Sequence, residues 1–241
     1  MRGPMSLKPD QPLLNVLVLL SVVIAGVQDS ESPAAPQLVS FPTEDGGLIY
    51  AHLYGAGDHG VVLAHGGQFD KESWGEQARA LERAGLRVLA IDFRGYGKSR
   101  GGGESKDRYE GLHLDVLAAV RYLRDSGAET VSVVGGSMGG WASANAAVEA
   151  EPGEIDRLVL LAHSPIERPE KLQGRKLFIT TRDDPRGDGS PRLPGIRDQY
   201  ERAPDPKELV ILDGSAHAQH IFPTEQGERL MQEILRFLTA P

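Results

Sequence analysis

The sequence contains no cysteine, and its charge shows no excess of basic residues. The absence of cysteine excludes disulfide bonds, thiolate nucleophiles and cysteine-based zinc sites. The chain has 26 Lys and Arg against 34 Asp and Glu, a formal net charge of −8, and the basic residues are scattered along it. A surface that follows nucleic acid phosphates needs clustered positive charge. We therefore predict that nucleic acid is not a partner of this protein.

Signals for metals and nucleotide cofactors are also missing. His52, His59 and His113 have no carboxylates at metal-ligand spacing. The segment GYGKSRGGG, residues 95–103, lacks the glycine register of a dinucleotide-binding turn, and no phosphate-loop glycine pattern precedes its Lys-Ser pair. The sequence therefore predicts neither a metal nor a cofactor, and it gives no prediction for the oligomeric state.

No apolar run near the N-terminus reaches the roughly 20 residues that a membrane-spanning helix needs. The run from Leu13 to Val27 has about 15 residues, follows two basic residues and precedes a Pro/Ser-rich stretch. This arrangement is typical of an export signal. We predict a signal peptide over residues 1–27, a flexible linker over 28–36 and an exported protein without a stable membrane span after processing. The alternative is an uncleaved apolar helix or a later start codon, which would leave the protein cytoplasmic.

From residue 37 to residue 241 the sequence predicts one α/β domain. Two segments that alternate apolar and polar residues flank the turn TEDGG and predict an antiparallel hairpin at a sheet edge. Continuous apolar runs follow, as expected of strands covered on both faces: GVVLAH, LRVLAID, VSVVGG, LVLLAHS, KLFITT and ELVILDG. Helical patterns separate most of these runs, which predicts a mainly parallel sheet with helices on both faces and ligands at the carboxyl ends of the strands.

One serine stands among glycines where a predicted strand becomes a helix. In Gly135-Gly136-Ser137-Met138-Gly139 the spacing is G-x-S-x-G, which in this context indicates a nucleophile elbow. A side chain two positions before or after the serine would collide with neighbouring backbone, so glycine is expected there. The helix that follows directs free N–H groups at the reacting centre. We predict that Ser137 is a catalytic nucleophile.

Other segments supply the groups that a nucleophilic serine needs. A glycine-rich loop follows the strand VVLA, and we predict that the oxyanion hole consists of the N–H groups of Met138 and Gly67, with Gln68 as the alternative to Gly67. His217 follows the last strand and is the expected base, with His220 as the alternative. The segment RDDP, residues 182–185, offers two aspartates as the acid, because it lies at another strand end.

The order serine, aspartate, histidine, together with the elbow, the His-Gly loop and DFRGYGKSRG at residues 92–101, resembles the α/β-hydrolase superfamily. The resemblance covers residue 37 to the end. It implies a Ser-His-Asp hydrolase with an eight-stranded sheet. In that family the acid usually stands three residues after a glycine. Thr181 occupies the glycine position here, so the resemblance favours Asp184 over Asp183 as the acid.

Other residues near the predicted site are expected to have structural roles. We predict that His65 bridges loops beneath the oxyanion turn and that Asp92 and Arg94 fix the turn after their strand. His163 either lines the substrate pocket or is an ordinary residue at a strand end.

Only residues 163–175 separate the strand LVLLAHS from the next strand, which is too short for a large cap domain. We therefore expect a shallow, open site shaped by the loops at residues 100–111 and 184–198. Without a cap there is little apolar surface for a long acyl chain, and each unburied methylene forgoes about 0.8 kcal/mol of binding. The expected substrates are small-molecule esters with short acyl groups, or bulky esters reached from outside.

The function that these residues predict is that of a serine carboxylesterase acting through an acyl-enzyme. A peptidase, amidase or thioesterase with the same triad is the closest alternative. A more distant one is a hydrolase-like protein that binds a ligand without turning it over.

Overall fold

An eight-stranded sheet forms the centre of the protein. The structure is a computed structural model that describes residues 1, 3, 35–102, 107 and 109–240, and the unit considered below spans Pro36–Pro241. The strands are β1 (Gln37–Pro42), β2 (Leu48–Tyr54), β3 (His59–Ala64), β4 (Arg87–Ile91), β5 (Thr130–Gly136), β6 (Arg157–Leu161), β7 (Arg175–Thr181) and β8 (Lys207–Leu212).

The strand order is β1-β2-β4-β3-β5-β6-β7-β8. β1 pairs antiparallel with β2, β2 pairs antiparallel with β4, and all other neighbours are parallel. The predicted hairpin at the sheet edge is therefore confirmed. Parallel strands place their carboxyl ends at one edge of the sheet, so the loops after β3 to β8 gather there around the end of β5.

Five α-helices are found among the described residues: α1 (Gly75–Arg83), α2 (Leu112–Asp125), α3 (Met138–Glu149), α4 (Leu193–Arg202) and α5 (Gly227–Thr239). Short 3-10 turns occur at Lys71–Trp74, Pro169–Lys171 and Ala218–Ile221.

The helices cover both faces of the sheet and divide the core into two layers. Val116 of α2, Ala144 of α3 and Ile196 of α4 pack in one apolar cluster. Leu81 of α1 and Ile234 of α5 pack in the other. Successive side chains of a strand point to opposite faces, which is why the central strands are apolar throughout. The predicted α/β-hydrolase architecture is confirmed.

Helix α4 was not expected from the sequence. Residues 184–198 were predicted to be a loop, but the chain becomes helical at Leu193. Pro194 is compatible with the first turn of a helix, where its missing N–H costs nothing. Ile196 and Gln199 are buried on the inner side of α4. Gly195 lowers helix propensity by about 1 kcal/mol relative to alanine, and this weakened the helical pattern.

The connection between β6 and β7 contains one 3-10 turn, Pro169–Lys171, and no cap domain, as predicted. No described helix is long and apolar enough to cross a membrane. The predictions for residues 1–27 and for nearly all of 28–36 lie outside the described residues.

Candidate active site

Ser137 lies in the sharp turn between β5 and α3. Its backbone has φ 53° and ψ −112°, in a positive-φ region that residues with a side chain rarely adopt. Its N–H donates to the carbonyl oxygen of Leu161, at the end of β6, over 2.9 Å. Such strain persists only where the surrounding structure holds it, and it is found mainly at functional sites. The turn places Ser137 in the wall of a groove at the carboxyl edge of the sheet.

Glycines around Ser137 are required by close backbone approaches. A Cβ at Gly135 would lie 2.5 Å from the carbonyl oxygen of Gly139. A Cβ at Gly139 would collide with the carbonyl oxygen of Ala64 on β3. A Cβ at Gly140 would lie 2.8 Å from the Cβ of His163. The steric reason predicted for the flanking glycines is confirmed, and it extends to Gly140, which the motif does not include.

His217 lies between Ser137 and a buried carboxylate. It follows β8, and its Nε2 lies 2.8 Å from Ser137 Oγ. Its Nδ1 lies 2.7 Å from Asp184 Oδ2. A carboxylate oxygen only accepts, so Nδ1 carries the hydrogen and Nε2 is left to accept one from the serine hydroxyl. The imidazole is therefore in the tautomer that a general base for Ser137 requires.

The structure brings Asp184, and not Asp183, to His217. Asp184 is fully buried after β7, while Asp183 is exposed and its N–H donates to the carbonyl oxygen of Gly214. His220 is exposed and does not contact Ser137; its Nε2 lies 3.3 Å from Gln68 Oε1. The side chains predicted as nucleophile, base and acid thus lie in one hydrogen-bonded chain, and their catalytic roles stay predictions.

An arginine that the sequence did not reveal contacts the same carboxylate. Arg192 Nε donates to Asp184 Oδ2 over 3.0 Å, and the Arg192 side chain is only 12% exposed. The Arg192 N–H also donates to the carbonyl oxygen of Asp184. Asp184 Oδ1, by contrast, has no hydrogen-bond partner within the described part of the chain. One oxygen of Asp184 therefore accepts from both Arg192 and His217.

Two backbone N–H groups beside Ser137 are free to bind an oxyanion. The N–H of Met138 stands at the first position of α3, where a helix offers no internal acceptor. The N–H of Gly67 has no acceptor among the described residues. The N–H of Gly66, in contrast, donates to Gln219 Oε1 over 2.7 Å. Met138 and Gly67 stay the predicted donors, and Gln68 stays the alternative to Gly67, since its N–H also has no acceptor among the described residues.

Gln219 ties the loop after β3 to the loop that carries His217, a link that the sequence analysis missed. Besides accepting from Gly66, Gln219 donates through Nε2 to Ser73 Oγ over 2.7 Å, and its side chain is buried. The hydroxyl of Tyr96 donates to the carbonyl oxygen of Gly67 over 2.8 Å. These bonds fix the backbone on both sides of the Gly67 N–H. Glutamine at this position forms no motif that a sequence pattern could reveal.

The structural reading of His65 is confirmed, whereas the side chain of Asp92 binds the segment after β3 and not the turn after its own strand. His65 Nδ1 donates to the carbonyl oxygen of Gly66 over 2.8 Å, and its Nε2 accepts from the N–H of Phe93 over 3.2 Å. Burial lowers the pKa of His65, which keeps the ring neutral. Asp92, fully buried, accepts from the N–H and from the ammonium group of Lys71. These contacts fasten the loops beneath the candidate oxyanion hole.

A groove of about 1160 Å³ opens over Ser137 and His217. Its volume exceeds the about 300–1,000 Å³ of typical ligand pockets, so a bulky substrate has room in it. Apolar walls come from Phe69, Met138 and Trp141. No group of three or more His, Asp and Glu side chains that could hold a metal occurs in the part of the chain that the structure describes.

The fold and this site define the class of the protein. Residues 61–193, more than half of the chain, match the α/β-hydrolase fold family. The chain therefore belongs to this family, as the resemblance of its motifs indicated.

Individual relatives show how far the similarity extends. An uncharacterized protein of Mycobacterium tuberculosis is 27% identical over 221 residues, covering 80% of this chain and 74% of that protein. An esterase of Pyrococcus furiosus has a similar structure, with a TM-score of 0.67, 22% identity and coverage of 84% of this chain and 91% of the esterase. An esterase of Exiguobacterium antarcticum has a TM-score of 0.69 at 14% identity, with coverage of 85% and 100%.

Proposed function

We propose that the protein is a serine carboxylesterase that hydrolyses small-molecule esters through an acyl-enzyme. The observation that supports this most is the hydrogen-bonded chain from Ser137 Oγ through His217 to Asp184, with distances of 2.8 Å and 2.7 Å. Membership of the α/β-hydrolase family and the similarity to two esterase structures agree with it.

In the proposed reaction, His217 removes the proton from Ser137 as Oγ attacks the ester carbonyl carbon. The N–H groups of Met138 and Gly67 stabilise the negative charge that develops on the carbonyl oxygen. The protonated His217 then donates its proton to the leaving alcohol, and the acyl group stays on Ser137. His217 next activates a water molecule that hydrolyses this ester and releases the acid. Asp184 orients the imidazole and stabilises its cation throughout.

The acyl groups that the site accepts are limited by its walls. The groove has room for a bulky substrate, and the connection between β6 and β7 forms no cap that would enclose a long chain. We therefore propose short acyl esters, or bulky esters that enter the groove from outside. Leaving groups are proposed to be alcohols rather than amines or thiols.

The test is a series of 4-nitrophenyl esters from acetate to palmitate, measured with the wild type and with Ser137→Ala. We expect kcat/KM to be higher for hexanoate or shorter esters than for palmitate. Ser137→Ala should lower kcat by more than about 10⁴-fold. Ser126→Ala is the matched control, since Ser126 lies at the end of α2 and its hydroxyl donates only to the Tyr122 carbonyl oxygen.

Activity that survives in Ser137→Ala would contradict the proposed nucleophile, and a preference for palmitate would contradict the proposed substrate size. Matched ester, anilide and thioester substrates test the leaving group. A higher kcat/KM for the anilide or the thioester would assign the site to amide or thioester hydrolysis instead.

A further inference from the structure

Acidic and basic side chains from different segments line the groove. Ser137 follows β5, while β4 and β7 lie two positions from β5 in opposite directions in the sheet. The segment between β4 and α2 contributes Asp107 and Glu110 to the groove. The loop after β7 contributes Arg186 and Arg192. A substrate across Ser137 therefore meets both carboxylates and guanidinium groups.

The two guanidinium groups are engaged differently. Arg192 is bonded to Asp184, so part of its hydrogen-bonding capacity serves the candidate triad. The side chain of Arg186 forms no ion pair or hydrogen bond with any described residue. Asp188 lies two residues further along the chain. Its carboxylate accepts from the N–H and the hydroxyl of Ser190, and its interaction with Arg186 is electrostatic, without a hydrogen bond. The guanidinium donors of Arg186 are therefore available to a ligand.

The backbone around Arg186 holds this side chain in place. The N–H of Arg186 donates to the carbonyl oxygen of Ser190 over 2.7 Å, and the carbonyl oxygen of Arg186 accepts from the N–H of Gly189 over 2.9 Å. The guanidinium lies against Gly195 in the first turn of α4, where a Cβ would collide with Nη2. The missing side chain at residue 195 thus leaves the space that the guanidinium occupies. A half-buried cation held this way loses less conformational entropy when it binds an anion.

We propose that Arg186 binds a carboxylate of the substrate, so that the preferred esters are anionic, such as half-esters of dicarboxylic acids. This inference rests on the proposed esterase function. A guanidinium group matches a carboxylate through two parallel hydrogen bonds.

The test compares anionic esters with neutral esters of matched size. The first pair, mono-4-nitrophenyl adipate and 4-nitrophenyl hexanoate, places the carboxylate on the acyl group. The second pair, 4-(hexanoyloxy)benzoate and its methyl ester, places it on the alcohol. For each pair the readout is kcat/KM for the anionic ester divided by kcat/KM for the neutral one. Arg186→Gln should lower this ratio about tenfold in at least one pair, and Arg186→Lys should lower it less.

Arg182→Gln is the control, since it removes the same charge from an exposed position near Arg186 that does not line the groove. Its ratio should equal that of the wild type. Ratios that Arg186→Gln leaves unchanged in both pairs would overturn the inference while leaving the esterase proposal intact. If the wild type hydrolyses no ester of either pair and none of the 4-nitrophenyl series from acetate to palmitate, the esterase proposal itself fails; if it hydrolyses only the shorter esters of that series, the inference about Arg186 is overturned and the esterase proposal stands. Thermal unfolding of each variant confirms that the compared proteins are folded.

Discussion

Asp115 and Asp184 are both fully buried, and each accepts hydrogen bonds from an arginine. Both oxygens of Asp115 are used: Oδ1 accepts from Nε and Nη2 of Arg94, and Oδ2 accepts from the Arg94 N–H. Arg94 also pairs with Asp45 on the β1–β2 turn. At Asp184, one oxygen accepts from both Arg192 and His217, and the other has no described partner.

We interpret the ion pair of Asp115 as structural and that of Asp184 as part of the proposed catalytic site. Burial raises the pKa of Asp115, and the hydrogen bonds from Arg94 act in the opposite direction. The same arginine lowers the pKa of Asp45 to about 2. A buried charge needs hydrogen bonds that replace those of water, and both oxygens of Asp115 have them. Asp184 is left partly unsatisfied while it orients His217, which is the pattern expected where stability is given up for activity.

The largest effect expected is on activity, at Asp184. Asp184→Asn keeps the size of the side chain, removes its charge and favours the wrong tautomer of His217, so kcat should fall by about 10⁴-fold. The free energy of unfolding should fall as well, by about 3 kcal/mol, because the Arg192 side chain is only 12% exposed and loses its charged partner. Ester kinetics and urea unfolding check the two expectations. If kcat fell by less than tenfold, the catalytic role that distinguishes Asp184 from Asp115 would be contradicted.

Asp115→Asn should lower stability but not activity. It leaves the largely buried guanidinium of Arg94 with only Asp45 as a charged partner, so the free energy of unfolding should fall by about 3 kcal/mol. The kcat of the folded fraction should remain close to that of the wild type. Asp198→Asn is the control, since its ion pair with Arg202 is exposed and should contribute less than about 1 kcal/mol. Equal urea midpoints for Asp115→Asn and Asp198→Asn would show that Asp115 does not stabilise the fold.

A buried group without any charged partner extends the comparison. His163 is fully buried away from solvent, its Nε2 accepts from Gln199 Nε2 over 3.0 Å, and burial lowers its pKa to about 4. Of the two readings offered by the sequence, the strand-end residue is the one that the structure supports, since His163 does not line the groove.

The stability of the protein should therefore decrease in acid. Below its unfolded pKa of 6.5 the unfolded His163 binds a proton, whereas the folded residue stays neutral down to about pH 4. The contribution is present above pH 6.5 and is lost as the pH falls toward 4, by about 2 kcal/mol between pH 7 and pH 5. His163→Gln should weaken this pH dependence in urea unfolding, and His220→Gln, at an exposed position, should not. If the free energy of unfolding depended on pH equally in both variants, its pH dependence could not be assigned to His163.

The smallest effect expected is at the arginine that Asp184 contacts. Arg192→Gln should lower kcat about tenfold with little change in KM, because one of the hydrogen bonds that fix the Asp184 carboxylate is lost. Arg192→Lys should recover little of this loss, since an ammonium group does not reproduce the donation from Nε. Arg197→Gln, at an exposed position of the same helix, is the control. A change confined to KM would make Arg192 a substrate-binding residue instead of a positioning residue.

The strands of the sheet could be predicted because each strand is marked by an apolar run within its own segment of the sequence. The apolar runs VSVVGG and KLFITT match β5 and β7 to within one residue, since strands covered on both faces have apolar residues at every position. Ser137 was found in the same way, because the glycines around it are required by contacts within the turn.

The contacts of Arg192 and Gln219 could not be predicted in this way. Arg192 reaches Asp184 only because the loop after β7 folds back, and Gln219 accepts from the Gly66 N–H in the loop after β3, far away in sequence. Such partners follow no periodic pattern and depend on the finished fold.

The most direct test of the proposed nucleophile is covalent labelling. A fluorophosphonate probe should form one adduct per chain, and mass spectrometry of the digested protein should locate it on the peptide that contains Ser137. Labelling should be absent in Ser137→Ala and slowed more than about 10³-fold in His217→Ala. An adduct on another residue, or labelling of Ser137 that is equally fast without His217, would contradict the account.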